Sequence, residues 1–421
     1  MSGVRRLSGA FVVALRSLAS LLGWLSVWPL VMLLPRKKNR VAVIGRQSGF
    51  FLDNAKYFFL QAVQDFPDVR FVFLSENRDV VDAIRARGGE ALLYPLPRAL
   101  WFLLRCSCAV VDDVAWYRKG RRQLLAGAGL IQLWHGVGCK RIERERWAHE
   151  QVTRIDWLQR LSVSVRLAAY RISGRWPTYS LVTTTSQFYL EQVFRPAFRA
   201  RSFMVTGYPR NDFGRSLDQW RLTLAWDNVD AGISSKLVGW REAGRRLILV
   251  VPTFRDSGAP PLRLDPAALS RLDEYATAEG LEFIFKFHPM DSSAVRISGQ
   301  HLHVCAANSD VYPLFPHVAA LVTDYSSIAS DYFLVDRPVL YLVPDGPVPS
   351  GIQFQFAPTE MMAGAITHDW DGLLAAMKEE LQVDSHRAAR AVLRLRMFDN
   401  LPQAGAVSNI VSTMQQAGWL R

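Results

Sequence analysis

Five short stretches end on residues able to move protons or hold anions: WHGVG (134–138), GYPRND (207–212), PTFRD (252–256), KFHP (286–289) and TDYSS (323–327). In the first, the apolar run AGAGLIQLW leads into His135. An unperturbed imidazole titrates near ~6.5, so at neutral pH it is mostly a base. A hydroxyl nucleophile attacking phosphorus gains typically ~10²–10⁴-fold from such a base. Gly136 and Gly138 let a substrate approach the backbone closely.

The other four stretches supply anion donors. TDYSS reads as a strand ending at Thr323-Asp324, with Ser326 or Ser327 capping the helix that follows. Free N–H groups and the dipole at a helix start attract phosphate. Asp324 can also touch a metal, although no carboxylate cluster calls for one. In KFHP, Lys286 and His288 share a face if the strand alternates, and the two together can clamp a pyrophosphate. Arg255, following Pro252 and Thr253, is a further oxyanion donor. Arg210 either binds phosphate or holds Asp212 in a loop ion pair.

These stretches need scaffolding that brings them to one edge, and the pattern of the chain supplies it. From residue 41, short apolar runs alternate with helical spacing: strands at 41–45, 69–75, 90–96, 108–113 and 130–136, helices at 54–66, 78–89 and 98–106. Strands resume at 180–186 and 202–213, and a helical crossing is expected over 214–243. A second alternating set has strands beginning at 245, 281, 301, 318 and 337, and the tail from 369 is helical. This is the pattern of two doubly wound α/β domains with parallel sheets, one near 40–225 and one near 240–421. Ligands of such sheets bind beyond the carboxyl ends of the strands, where all five stretches fall.

A chain of 421 residues suits two or three domains. Half of it is hydrophobic, so it is globular. The net charge of +12 implies an anionic partner: nucleic acid, anionic lipid or a phosphorylated substrate. The four cysteines make no CxxC pair and no zinc spacing, which fits packed thiols in a reducing, cytoplasmic setting. Residues 17–34 carry no charge and are flanked by basic residues on both sides, RKKNR (36–40) among them. Basic flanks on both sides disfavour a simple span. The expectation for residues 1–39 is a helix lying in the cytoplasmic leaflet of the membrane; a true span and a buried core helix are the alternatives. The basic, tryptophan-bearing insert 140–176 is either a solvated helical pair or a second membrane-contacting surface. No nucleic-acid motif is present.

Taken in order, WHG, GYPRND, PTFRD, KFHP and TDYSSIASDYFLVDRPVLYL resemble the CDP-glycerol glycerophosphotransferases, the teichoic acid and capsule glycerol-phosphate primases and polymerases. The resemblance runs from about residue 38 to the carboxyl terminus. It implies a GT-B-like pair of domains facing a cleft in a membrane-associated cytoplasmic enzyme. CDP-glycerol would bind mainly to the second domain, and a lipid-linked saccharide or glycerol-phosphate chain would approach the first. The motif histidines of the family fall on His135 and His288, and its serine pair on Ser326 and Ser327. Two departures stand out. Val137 follows WHG where threonine is more usual, and RMFDNLPQAGAVSNI (396–410) follows the family's aspartate–glycine signature only loosely. A different donor such as CDP-ribitol therefore stays open.

The expected reaction has His135 taking a proton from the acceptor hydroxyl, which attacks the β-phosphorus of CDP-glycerol and releases CMP. His288, Arg255, Ser326 and Ser327 would neutralise the pyrophosphate, with no cofactor required and Mg²⁺ possible. Two rivals are a GT-B nucleotide-sugar glycosyltransferase, which would normally show a glutamate-bearing donor motif, and a non-catalytic module for anionic membranes.

Overall fold

The structure, a computed structural model, describes residues 2–153, 164, 167–168, 170–171, 176–212, 217–253, 262, 264–287, 297–344, 346, 353–399 and 405–420. The chain divides into two compact units. The first contains residues 1–135, 142–224 and 401–421, and the second 136–141 and 225–400.

The first unit holds a seven-stranded sheet: β1 (Lys37–Ile44), β2 (Arg70–Ser75), β3 (Ala91–Leu93), β4 (Cys106–Val111), β5 (Gly129–Gln132), β6 (Tyr179–Thr184) and β7 (Ala200–Val205). Their order is β3-β2-β1-β4-β5-β6-β7, with every pairing parallel. β4 is buried along its whole length, as a strand covered on both faces must be. The order reverses between β1 and β4, which opens a crevice at their carboxyl ends. All four cysteines are free and buried, and burial pushes the Cys106 thiol up to about 12. They are packing groups, as the spacing suggested.

The second unit repeats the plan with six parallel strands: β8 (Arg246–Val251), β9 (Leu281–Phe285), β10 (Leu302–Val304), β11 (Val318–Thr323), β12 (Val339–Leu342) and β13 (Ala365–Thr367). The order is β10-β9-β8-β11-β12-β13, so its reversal lies between β8 and β11. One face of the sheet packs Ile248, Val250, Phe283, Phe285 and Val322 against Leu272, Leu373 and Met377. The last three lie on helices Pro266–Glu279 and Trp370–Val383. Both helices start on an aspartate cap, Asp265 and Asp369, whose side chains accept from Ala268 N and Gly372 N.

Two features differ from the expectation. β13 is a three-residue strand, too short to show a periodic signal. The last residues, expected in the second domain, belong to the first unit. Their helix Ala406–Gln416 buries Val407, Ile410, Val411 and Met414, and Thr413 Oγ1 meets Met204 of β7. Of the 140–176 insert, Glu143–Thr153 is a helix, and much of the remainder lies outside the described residues.

The amino-terminal helix α1 spans Ser2–Met32 and packs on the turn Arg122–Leu125 of the first unit. The small residues make that contact. Ser20 sits against Gly120, and a side chain at Gly23 would collide with Gln123. Arg36 fastens the exit of the helix by donating to the carbonyls of Leu103, Cys106 and Ala126. Leu15, Leu18, Leu22, Leu25, Leu30 and Leu33 are left exposed. Among the described residues no helix is long and apolar enough to cross a membrane.

Candidate active site

Helix α2 (Asp53–Asp65) begins in the crevice between β1 and β4, and the charged residues of the first unit gather at its start. Asp53 is buried and ion-paired to both Arg46, just past β1, and Arg210, just past β7. Burial opposes the charge on Asp53, but Arg210 and then Arg46 outweigh it and hold the carboxyl below its usual range. Arg210 is only 1% exposed at its side chain. Its guanidinium also donates to the His135 carbonyl at 3.0 Å. Next to Asp53, the Asn54 amide donates to the Trp134 carbonyl at 2.8 Å and its oxygen accepts from Arg210 N at 3.2 Å. The loop carrying His135 is thus held by side chains from β7 and α2.

That loop is unusual in its backbone. Trp134 adopts φ +61°, and Gly136 adopts φ +143°, a value that favours glycine. Trp134 N donates to Gln132 Oε1 at 2.9 Å, and the Trp134 and His135 rings lie 4.1 Å apart between centroids. His135 is half-buried. Its Nδ1 lies 3.0 Å from the Asp112 carbonyl, which can only accept, so Nδ1 carries the proton and Nε2 the lone pair. Burial lowers the ring to about 4, Arg46 acts in the same direction, and Asp53 opposes. The imidazole is therefore neutral at pH 7 and has one basic nitrogen.

Asp112, at the end of β4, is the opposite case to Asp53. Burial raises its carboxyl well above the usual range, and Asp53 and Asp113 add to the rise. One oxygen accepts from Ala55 N at 3.0 Å, and the other is buried without a hydrogen bond. Arg46, Asp53, Asn54 and Asp112 are site residues that the motif search passed over. The signal was there in the polar residues directly after VAVIG and CAVV and in the DNA tripeptide opening a helix.

In GYPRND, Arg210 takes Asp53 as its buried carboxylate partner, and Asp212 accepts from Ala406 N at 2.9 Å. The Asp53 pair is a structural one, because a guanidinium this deeply buried needs a buried counter-charge.

The carboxyl edge of the second unit gathers Thr253, Asp324, Ser326 and Ser327. Asp324 Oδ1 accepts from Thr253 N at 2.9 Å and from Tyr325 N at 2.6 Å, tying the end of β8 to the end of β11. Gly138 lies against the serine pair: a Cβ there would stand 3.1 Å from Ser327 Cβ. The need for glycine at 138 is met by this packing. Ser327 occupies the cap position with no side-chain bond, and Ser326 Oγ lies 3.5 Å from Ile328 N. The helix they open is only Ile328–Tyr332. Ser326 is thus the serine whose oxygen accepts from the helix start, at the long limit of a hydrogen bond, and a five-residue helix sums few peptide dipoles. The serine hydroxyls remain as donors. Lys286 donates to the carbonyls of Ala307 at 2.7 Å and Phe287 at 3.0 Å, so its ammonium is committed to its own loop. His288 and Arg255 lie outside the described residues.

The family model for CDP-glycerol:poly(glycerophosphate) glycerophosphotransferases matches residues 27–415. The chain belongs to this family. It is 24% identical over 326 residues to the teichoic acid ribitol-phosphate polymerase TarL of Staphylococcus aureus, covering 74% of this chain and 51% of that protein. It is 23% identical to the teichoic acid poly(glycerol phosphate) polymerase of Bacillus spizizenii, covering 58% of each. The chain thus spans about half the length of these relatives. Among solved structures, the wall teichoic acid polymerase TagF superposes with a TM-score of 0.65 at 19% identity, covering 97% of this chain and 98% of that one. This shows the fold to be the GT-B-like pair of parallel-sheet α/β domains that the family resemblance implied.

Two outcomes follow from the charge arrangement. Asp53→Asn is expected to cost about 3–5 kcal/mol by leaving the buried Arg210 guanidinium without its counter-charge. Asp112→Asn removes a carboxyl that burial already disfavours as an anion, and is expected to match or exceed the wild type. Urea midpoints at pH 8 compare the two, and equal losses would contradict the assignment. The second outcome concerns pH. Between about 6.5 and about 4, His135 binds its proton in the unfolded chain but not in the folded one. Stability from this residue is complete above pH 6.5 and falls as pH drops towards 4. His135→Gln should flatten the fall in urea midpoint between pH 7 and pH 5; an unaltered fall would refute the depressed value.

Proposed function

We propose that this protein transfers a polyol phosphate, glycerol phosphate in the first instance, from a CDP-polyol to a hydroxyl of a lipid-linked acceptor and releases CMP. The observation that carries the reading is the state of His135: one nitrogen is fixed on the Asp112 carbonyl and the other left as a base. Family membership supports the donor class, since relatives are named for glycerol-phosphate and ribitol-phosphate polymerisation.

In the proposed step, Nε2 of His135 takes the acceptor's hydroxyl proton as the oxygen attacks the β-phosphorus. An O–P bond forms to the acceptor, and the bond from that phosphorus to the bridging oxygen breaks. CMP leaves with the electron pair. Positioning and charge stabilisation dominate such a transfer, because the protein forms no covalent intermediate. The donor side is assigned to the second unit: Ser326 and Ser327 as hydroxyl donors, Thr253 and Asp324 as the frame behind them, and Arg255 and His288 as cationic or polar partners of the pyrophosphate. Within the second unit, Gly138 packs beside Ser327.

The acceptor's lipid would be met at the cytoplasmic surface of a membrane. Support for this comes from α1, which packs Ser20 and Gly23 inward and leaves Leu15, Leu18, Leu22 and Leu25 exposed, and from the basic run that follows. Tryptophans at 24 and 28 suit an interfacial position.

CMP release from CDP-glycerol and CDP-ribitol, each with a lipid acceptor, tests the reading and ranks the donors. His135→Ala is expected to lower the rate by about 10²–10⁴-fold. A wild-type rate in that variant would overturn the role of the imidazole, and release of UDP or GDP from a nucleotide sugar would favour a glycosyltransferase.

A further inference from the structure

The edge of the first sheet opposite His135 contains a cavity that the proposed reaction does not use. Its volume is about 450 Å³, within the range of small-ligand sites. Trp28 and Met32 of α1 form one wall, and the Gly127–Leu130 entry to β5 forms the floor. Thr178 and Ser180 at the start of β6, Arg201 at the start of β7 and Trp419 near the carboxyl terminus complete it. Arg122 closes the side next to α1, its guanidinium 5.3 Å from the Trp28 ring centre.

Among the described residues, two arginines line this cavity and no acid does. Among the described residues neither Arg122 nor Arg201 is paired with a carboxylate, while Arg36, Arg46, Arg118 and Arg210 of the same unit all hold oxygen partners. Burial pulls Arg122 below its usual range, the mark of a guanidinium lacking a counter-charge. The remaining wall is apolar and aromatic, with hydroxyls from Thr178 and Ser180. An anionic head joined to an apolar body matches this lining. The exposed Leu18, Leu22 and Leu25 continue the apolar surface along α1.

We infer that this cavity seats the phosphodiester head of an anionic membrane phospholipid, held by Arg122 and Arg201, with its acyl chains laid along the leucine face of α1. The site deepens the membrane reading above and rests on it. It adds selection of anionic lipid to an attachment that apolar burial alone would leave indifferent to the headgroup. A guanidinium pair grips a phosphodiester through directed donors, whereas the diffuse basic run at 36–40 acts only through distance-dependent attraction.

The test uses the full chain and dihexanoyl-phosphatidylglycerol below its micelle concentration, measured by titration calorimetry. Dihexanoyl-phosphatidylcholine and inorganic phosphate are the comparison ligands. The glycerol lipid is expected to bind at least tenfold more tightly than either. The double variant Arg122→Gln/Arg201→Gln should lose at least tenfold, and Arg201→Gln alone, an exposed change that leaves packing intact, should lose part of that. Equal binding in wild type and variants overturns the site, as does inorganic phosphate binding as well as the lipid. Vesicle sedimentation separates this from the membrane reading. Wild-type chain that sediments equally with phosphatidylcholine and phosphatidylglycerol vesicles refutes the site and keeps the membrane reading. Short-lipid binding without any sedimentation does the reverse.

Discussion

A carboxylate buried between two guanidiniums sets the geometry of the first unit's crevice. Asp53 stands at the start of α2, where Arg46 reaches it from the end of β1 and Arg210 from the end of β7. In a poorly solvated site each of these charges is costly alone, so all three must be present together. The same Arg210 then reaches the His135 carbonyl, and the neighbouring Asn54 reaches the Trp134 carbonyl. Removing the central carboxylate would loosen the loop that aims the imidazole. The loop needs such restraint, because Trp134 sits at positive φ, where a bulky side chain is strained.

The two sheets solve the same problem in parallel ways. Each reverses strand order once, and each places an aspartate just after the strand that follows the reversal. Asp112 after β4 accepts from the start of α2, and Asp324 after β11 accepts from the end of β8. A carboxylate oxygen there satisfies backbone N–H groups at a helix start or past a strand end that have no intrahelical or ladder partner. The difference lies in their surroundings. Asp112 shares its crevice with Asp53 and is pushed towards the neutral acid, and its backbone carbonyl selects the His135 tautomer.

At the opposite end of the first sheet the logic is that of a surface. α1 is fixed by small-residue packing and by the Arg36 guanidinium on three carbonyls. This leaves an apolar face outward, and beside it a cavity lined by Arg122 and the exposed Arg201, neither paired with a carboxylate among the described residues. The proposed acid–base chemistry and the proposed lipid contact therefore fall at opposite edges of one sheet, so changes at one edge need not disturb the other.

Alternation of apolar runs with helical spacing was enough to define two parallel α/β units and to put every motif at a strand's carboxyl end, because that periodicity is local and the central strands β4, β5, β9 and β12 are buried on both faces. It also marked His135, whose strand-then-glycine setting reads directly from WHGVG. Partner choice was not legible. Arg210 finds Asp53 157 positions away rather than its sequence neighbour's loop alone, and the His135 tautomer depends on a carbonyl 23 residues upstream. The carboxyl-terminal helix returns to the first sheet for a related reason: its buried stripe fits a surface whose shape no local pattern records. Tertiary structure decided these points because ion pairs and caps are set by strand order and register, and these exist only once the sheet has formed.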